Sequence, residues 1–226
     1  GDVYKRQMLH GFISDSTTYD SHIEQLSQHV NVLTIDLPGH GKDTSDMNDT
    51  WDFPYIAHAL DEVLSQYDMY DVYLFGYSMG GRVALYYALN GSVALRGLLL
   101  ESTSAGIQSE ADKVERVQVD AARAKVLEIA GLEIFVNDWE KLPLFRSQYE
   151  LDAEVRKAIR ANRMSQNPVR LAKALRDYGT GNMSNLWPQV SSLRVRTLIL
   201  TGEKDEKFVQ IAVSYTHLTL PTTPYV

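Results

Sequence analysis

Ser78 stands in Gly76-Tyr77-Ser78-Met79-Gly80, directly after the apolar run Val72-Tyr73-Leu74-Phe75 and just before Val83-Ala84-Leu85-Tyr86-Tyr87-Ala88-Leu89. A serine between a strand and a helix in this pattern occupies a sharp turn. Its hydroxyl stands above the sheet with a helix N-terminus behind it, which is the placement of a nucleophile or base. Small residues flank it because a side chain would clash in so tight a turn. The plain alternative is a Ser/Gly turn between a buried strand and a helix, and the partners further along argue against it. Asp205 follows the strand-like run Val195-Arg196-Thr197-Leu198-Ile199-Leu200. A carboxylate there would hold a histidine in the right tautomer and stabilise its cation. Glu203 and Glu206 are its acidic neighbours, and the Gly-x-x-Asp position favours Asp205. Negative charge developing on a substrate oxygen needs backbone donors, expected from the N–H groups of Met79 and of Phe12 in the His10-Gly11-Phe12 loop.

The order serine, acid, histidine lacks its third member. The six histidines are His10, His22, His29, His40, His58 and His217. Only His217 follows Asp205, too soon for the chain to cross a helix and another strand and return to Ser78. His10 belongs to the oxyanion loop and His40 to a Gly-His-Gly turn, while His22, His29 and His58 fall on helical stretches as surface or rim residues. The triad histidine is therefore expected to be absent from this chain.

Such groups need a scaffold. Val30–Asp36 reads as a strand, Leu37-Pro38-Gly39-His40-Gly41 as a turn, and Asp52–Tyr67 as a helix with Ile56, Leu60, Val63 and Leu64 on one face. Leu95–Leu100 is a further buried strand. Strands alternating with helices imply a mostly parallel sheet with helices on both faces. From Ser109 to about Tyr178 the pattern becomes helix after helix, at Val114–Ile129, Leu132–Trp139, Ala153–Asn162 and Val169–Tyr178. This predicts a helical cap, residues 109–190, inserted between core segments 8–108 and 191–212 and lying over the carboxyl edge of the sheet.

Both ends look foreign to that scaffold. Residues 1–7 show no strand or helix logic, and neither do residues 213–226. Asp2–Gln7 can be encoded as GATGTGTATAAGAGACAG and Val213–Leu218 as GTCTCTTATACACATCTG. The reverse complement of the first overlaps almost all of the second. This resembles a transposon adapter of sequencing libraries read through as protein, so both ends are expected to lie outside the fold. The native segment would be about Met8–Ala212, with N- and C-terminal strands of the sheet missing.

The chain has 226 residues, 44% hydrophobic, enough for one domain with a sizeable core. A net charge of -7 argues against nucleic acid or an anionic membrane as partner. No run is long enough to span a membrane. The absence of cysteine excludes disulfides and thiol chemistry and fits a cytoplasmic location. No metal cluster or phosphate-cradling loop is evident, so no cofactor is expected, and the sequence does not fix the oligomeric state.

Several segments together resemble one family: His10-Gly11-Phe12, Asp36-Leu37-Pro38-Gly39-His40-Gly41, Gly76-Tyr77-Ser78-Met79-Gly80-Gly81-Arg82, Asn137-Asp138-Trp139-Glu140-Lys141-Leu142-Pro143-Leu144-Phe145, Arg163-Met164-Ser165-Gln166-Asn167-Pro168 and Gly202-Glu203-Lys204-Asp205-Glu206-Lys207-Phe208. The chain is similar across Met8–Ala212 to 2-succinyl-6-hydroxy-2,4-cyclohexadiene-1-carboxylate synthases, lyases of the α/β-hydrolase fold in menaquinone biosynthesis. The resemblance implies an elimination rather than a hydrolysis: Ser78, activated by a histidine, takes a proton from carbon, and pyruvate is expelled. It implies a polycarboxylate substrate held by arginine forks at Arg82, Arg163 and, less firmly placed in its helix, Arg116. Tyr77 and Trp139 would line the substrate site. The bland alternative for each arginine is a solvated helix charge. The alternative activity is a serine hydrolase of esters or carbon–carbon bonds, whose pocket would be mostly apolar. A non-enzymatic interaction protein is the third reading.

Overall fold

The computed structural model describes residues 4–67 and 71–218. Five strands, β1 (Tyr4–Leu9), β2 (Asn31–Ile35), β3 (Asp71–Tyr77), β4 (Leu95–Glu101) and β5 (Arg196–Leu200), pair in parallel in the order β2-β1-β3-β4-β5. The helices are α1 (Asp20–Ser27), α2 (Phe53–Leu64), α3 (Met79–Asn90), α4 (Glu110–Ile129), α5 (Leu132–Trp139), α6 (Ala153–Met164), α7 (Pro168–Tyr178) and α8 (Glu206–Leu218). The strand order reverses between β1 and β3, so a crevice opens at their carboxyl ends. The His10-Gly11-Phe12 loop leaves β1 there, and Ser78 leaves β3. Leu9 is in register with Gly76, which places the two loops side by side.

The main core joins Leu9, Leu74 and Leu98 of the sheet to Ile56 and Leu60 of α2 and Val83, Ala84 and Leu85 of α3. Met8, Tyr19 and Phe75 form a smaller cluster. Between β4 and β5 the described residues are helices, 3-10 turns and loops only. A separate apolar cluster of Ala124, Leu127, Phe135, Val136, Leu171 and Leu175 knits α4, α5 and α7 together and takes in Ile13 from the loop after β1. Helix starts follow their caps: Asp52 accepts from Tyr55 N–H, Ser109 from Asp112 N–H, and Asn167 from Val169 and Arg170 N–H with Pro168 at the first position.

The ends require correction. Tyr4–Gln7, expected outside the fold, are the first part of β1, paired with β2 on one side and β3 on the other. Backbone hydrogen bonding holds them there whatever their side chains. The side chain of Gln7 shows the misfit: it is fully buried, and neither amide atom has a partner among the described residues. Residues 213–218, also expected outside, complete α8, and Tyr215 is buried with its ring 4.8 Å from that of Trp187. Residues 1–3 and 219–226 lie outside the described residues. His29 sits in the turn after α1 rather than on a helix.

Candidate active site

Ser78 is the residue at the turn between β3 and α3, with φ 50° and ψ -105°. That conformation costs an L-residue about 1–3 kcal/mol and persists only where the surroundings enforce it. Here Ser78 N–H donates to the Glu101 carbonyl at 2.8 Å, while the Ser78 carbonyl accepts from Arg82 N–H at 3.1 Å and from the Thr103 hydroxyl at 2.7 Å. A Cβ on Gly76 would meet the Gly80 carbonyl oxygen at 2.3 Å, which is why the turn needs glycine. Ile13 (φ 55°) and Ser102 (φ 46°) are the other non-glycine residues with positive φ among those described. Both, like Ser78, line the cavity above the sheet, so backbone strain collects at one place.

That cavity has a volume of about 1000 Å³. Its wall includes Ser78, Asp205, Phe12, Met79, Tyr77, Arg82, Arg116, Trp139 and Arg163, so all nine residues singled out in the sequence face one space. Met79 is the first residue of α3. The loop bearing Phe12 is tied to that helix by Gly80 N–H, which donates to the His10 carbonyl at 3.0 Å. The Phe12 ring packs edge-on against His40, Phe135 and Trp139 and so joins core to cap. Asp205 caps α8, accepting from Phe208 N–H at 3.2 Å.

The histidines divide by burial. His10 is fully buried, bonded through Nδ1 to the Gly11 carbonyl, and its Nε2 accepts from Leu37 N–H at 3.0 Å; burial lowers its pKa. His40 is also buried, its pKa lowered to about 3 by burial and then by the neighbouring His10. Both are neutral structural groups. His22, on α1, lines the cavity beside Ser21, whose hydroxyl is 3.0 Å from its Nδ1.

A profile of the Alpha/beta hydrolase family matches residues 8–222. A Bacillus subtilis protein bearing the name 2-succinyl-6-hydroxy-2,4-cyclohexadiene-1-carboxylate synthase in provisional form is 34% identical over 204 residues, 90% of this chain and 74% of that protein. A Salmonella agona protein bearing the name outright is 33% identical over 204 residues, 90% of this chain and 79% of its own length. The solved structure of MenH from S. aureus superposes with a TM-score of 0.96 at 57% identity, covering 97% of this chain and 84% of that one. The chain belongs to the 2-succinyl-6-hydroxy-2,4-cyclohexadiene-1-carboxylate synthase family.

In this synthase-family site the arginines sit on the cap and on α3, and Lys207 sits on α8. Arg82 is buried, and its Nη1 donates to the Tyr178 carbonyl at 3.1 Å. Burial and the charge of Arg116 bring its pKa down to about 10, so it stays protonated near neutral pH. Arg163 donates to Glu140 at 3.1 Å and Gln148 at 3.0 Å and lies over the Phe145 ring at 4.8 Å. Glu140 is shared with Arg160 at 2.5 Å. The end of α6 is held to the core through Gln166, whose amide donates to Asp15 at 2.9 Å and accepts from Gly41 N–H at 2.9 Å. The Trp139 indole N–H has no partner among the described residues.

Sequence reasoning missed Arg123, which also lines the cavity, stacks 5.3 Å from the Trp139 ring centroid and lies 3.6 Å from Asp120. The signal was present: Arg116, Asp120 and Arg123 are spaced i, i+4, i+7, which puts them on one helix face. Gln148, Asn162 and Lys207 were missed as well. They come from separate elements; Lys207 lies in the quoted segment around Asp205, while no local pattern marks Gln148 or Asn162.

Proposed function

We propose that this chain eliminates pyruvate from 2-succinyl-5-enolpyruvyl-6-hydroxy-3-cyclohexene-1-carboxylate to give 2-succinyl-6-hydroxy-2,4-cyclohexadiene-1-carboxylate, a step of menaquinone biosynthesis. The reading follows the name carried by its relatives. Ser78, once deprotonated by a histidine that Asp205 orients, removes a proton from a ring carbon. Negative charge moves onto a carboxylate or carbonyl oxygen facing the N–H groups of Met79 and Phe12. The C–O bond to the enolpyruvyl group then breaks, and pyruvate leaves. Arg82, Arg116 and Arg163 hold substrate carboxylates, with Tyr77 and Trp139 shaping the wall.

One observation carries this over a hydrolase reading. A protein of net charge -7 lines the space around Ser78 with four arginines from three elements. Desolvating such charges is costly without anions to meet them, and an ester pocket has no need of them.

A serine hydroxyl acts as a base near neutral pH only with a partner histidine to take its proton. The test is a chimera carrying the C-terminal segment of the S. aureus protein after Ala212. It should release pyruvate from the cyclohexene substrate, and Ser78→Ala should abolish that release. Rapid ester cleavage with no pyruvate would establish the hydrolase instead.

A further inference from the structure

Three arginines crowd the α4 corner of the cavity, and one buried carboxylate serves them. Asp120 is 2% exposed; its Oδ1 accepts from Arg116 Nε at 2.9 Å and lies 3.6 Å from Arg123 Nη1. Arg82 approaches from α3, close enough for the charges of Arg116 and Asp120 to act on it. An ion pair built for stability needs one guanidinium per carboxylate. A second and third brought into a partly desolvated corner cost energy unless an anion completes the arrangement. Arg116 and Arg123 keep about a third of their side-chain surface open, and both line the cavity. Arg123 is further fixed by its face against Trp139.

We infer that Arg123 contacts a substrate carboxylate directly, and that Asp120 is the positioning residue that spreads Arg116 and Arg123 into a fork for it. This rests on the polycarboxylate reading of the cavity. The fork takes one arm of the ligand, and Arg163, on α6, takes another.

Binding to the chain as it stands tests this by calorimetry with three stable probes. These are 2-succinylbenzoate, which has two carboxylate arms, and the two monoacids that each keep one of them: 2-butanoylbenzoate and 4-oxo-4-phenylbutanoate. Arg123→Gln should weaken the diacid and one monoacid by about tenfold or more, as loss of a charge-assisted contact does, and leave the other monoacid within twofold. Arg123→Lys should recover part of the loss. Asp120→Asn removes a negative charge, so charge alone would tighten anion binding, whereas loss of a positioning carboxylate weakens it. Arg123→Gln binding all three probes like the parent, or weakening all three equally, would overturn the role of Arg123. Tighter binding by Asp120→Asn would overturn that of Asp120. A parent chain that prefers neutral esters to the diacid would instead refute the polycarboxylate reading itself. Unchanged melting of Arg123→Gln separates these outcomes from unfolding.

Discussion

The carbonyl oxygen of His10 accepts the backbone N–H of Gly80 at 3.0 Å, and this bond ties the loop that carries Phe12 to the turn that carries Ser78. The contact exists because Gly80 has no side chain: a Cβ there would lie 2.2 Å from the Leu9 carbonyl oxygen and 2.6 Å from that of His10. Both neighbours are backbone, in the inner strand β1 and the loop leaving it. Gly80→Ala is therefore expected to cost about 2–4 kcal/mol and to move the N–H groups of Phe12 and Met79 apart. Urea unfolding reads the first effect, and affinity for 2-succinylbenzoate reads the second. A variant as stable as the parent would mean that the turn gives way easily.

Ser78→Gly tests the strain at the turn. Glycine adopts positive φ without penalty, so the variant should gain about 1 kcal/mol and melt a few degrees higher. In the active chimera it should release no pyruvate. A lower melting temperature would show that the serine side chain contributes more than its backbone costs.

Gln7 offers a stabilising substitution. Its amide is fully buried in β1 with no partner among the described residues, and such a group costs about 1–3 kcal/mol. Gln7→Leu has similar volume and should raise the unfolding free energy by that order. No gain would show that the amide is satisfied in solution.

Acid should destabilise the fold through His40. Its folded pKa is lowered to about 3 by burial, below the 6.5 of an exposed histidine. The unfolded chain therefore takes up a proton that the folded chain refuses. This stabilisation is complete above pH 6.5 and is lost as pH falls from there toward 3, by at most about 1.4 kcal/mol per pH unit. His10 shifts in the same direction. Unfolding at pH 7 and pH 5 should show the slope, and His40→Gln should flatten it. An equal slope in the variant would assign the effect elsewhere.

The sequence by itself determined the elements that are locally encoded. Glycines around Ser78 announced a turn that excludes side chains, and the periodic apolar positions Ile56, Leu60 and Leu64 announced a helix. The motif order placed Ser78 and Asp205 at strand ends, the need for oxyanion donors named Phe12 and Met79, and the family resemblance named five further cavity residues. Tertiary structure decided what depends on surroundings. Tyr4–Gln7 carry no strand pattern, yet they pair on both sides because a sheet selects backbone, not side chains. Residues 213–218 joined α8 because Tyr215 packs against Trp187, a contact from far along the chain. Arg123 lay in plain spacing beside Asp120, but only the packing of α4 against α5 and α7 turned that face into the cavity that holds Ser78. A periodicity says which residues share a face; which space the face meets is fixed by long-range packing.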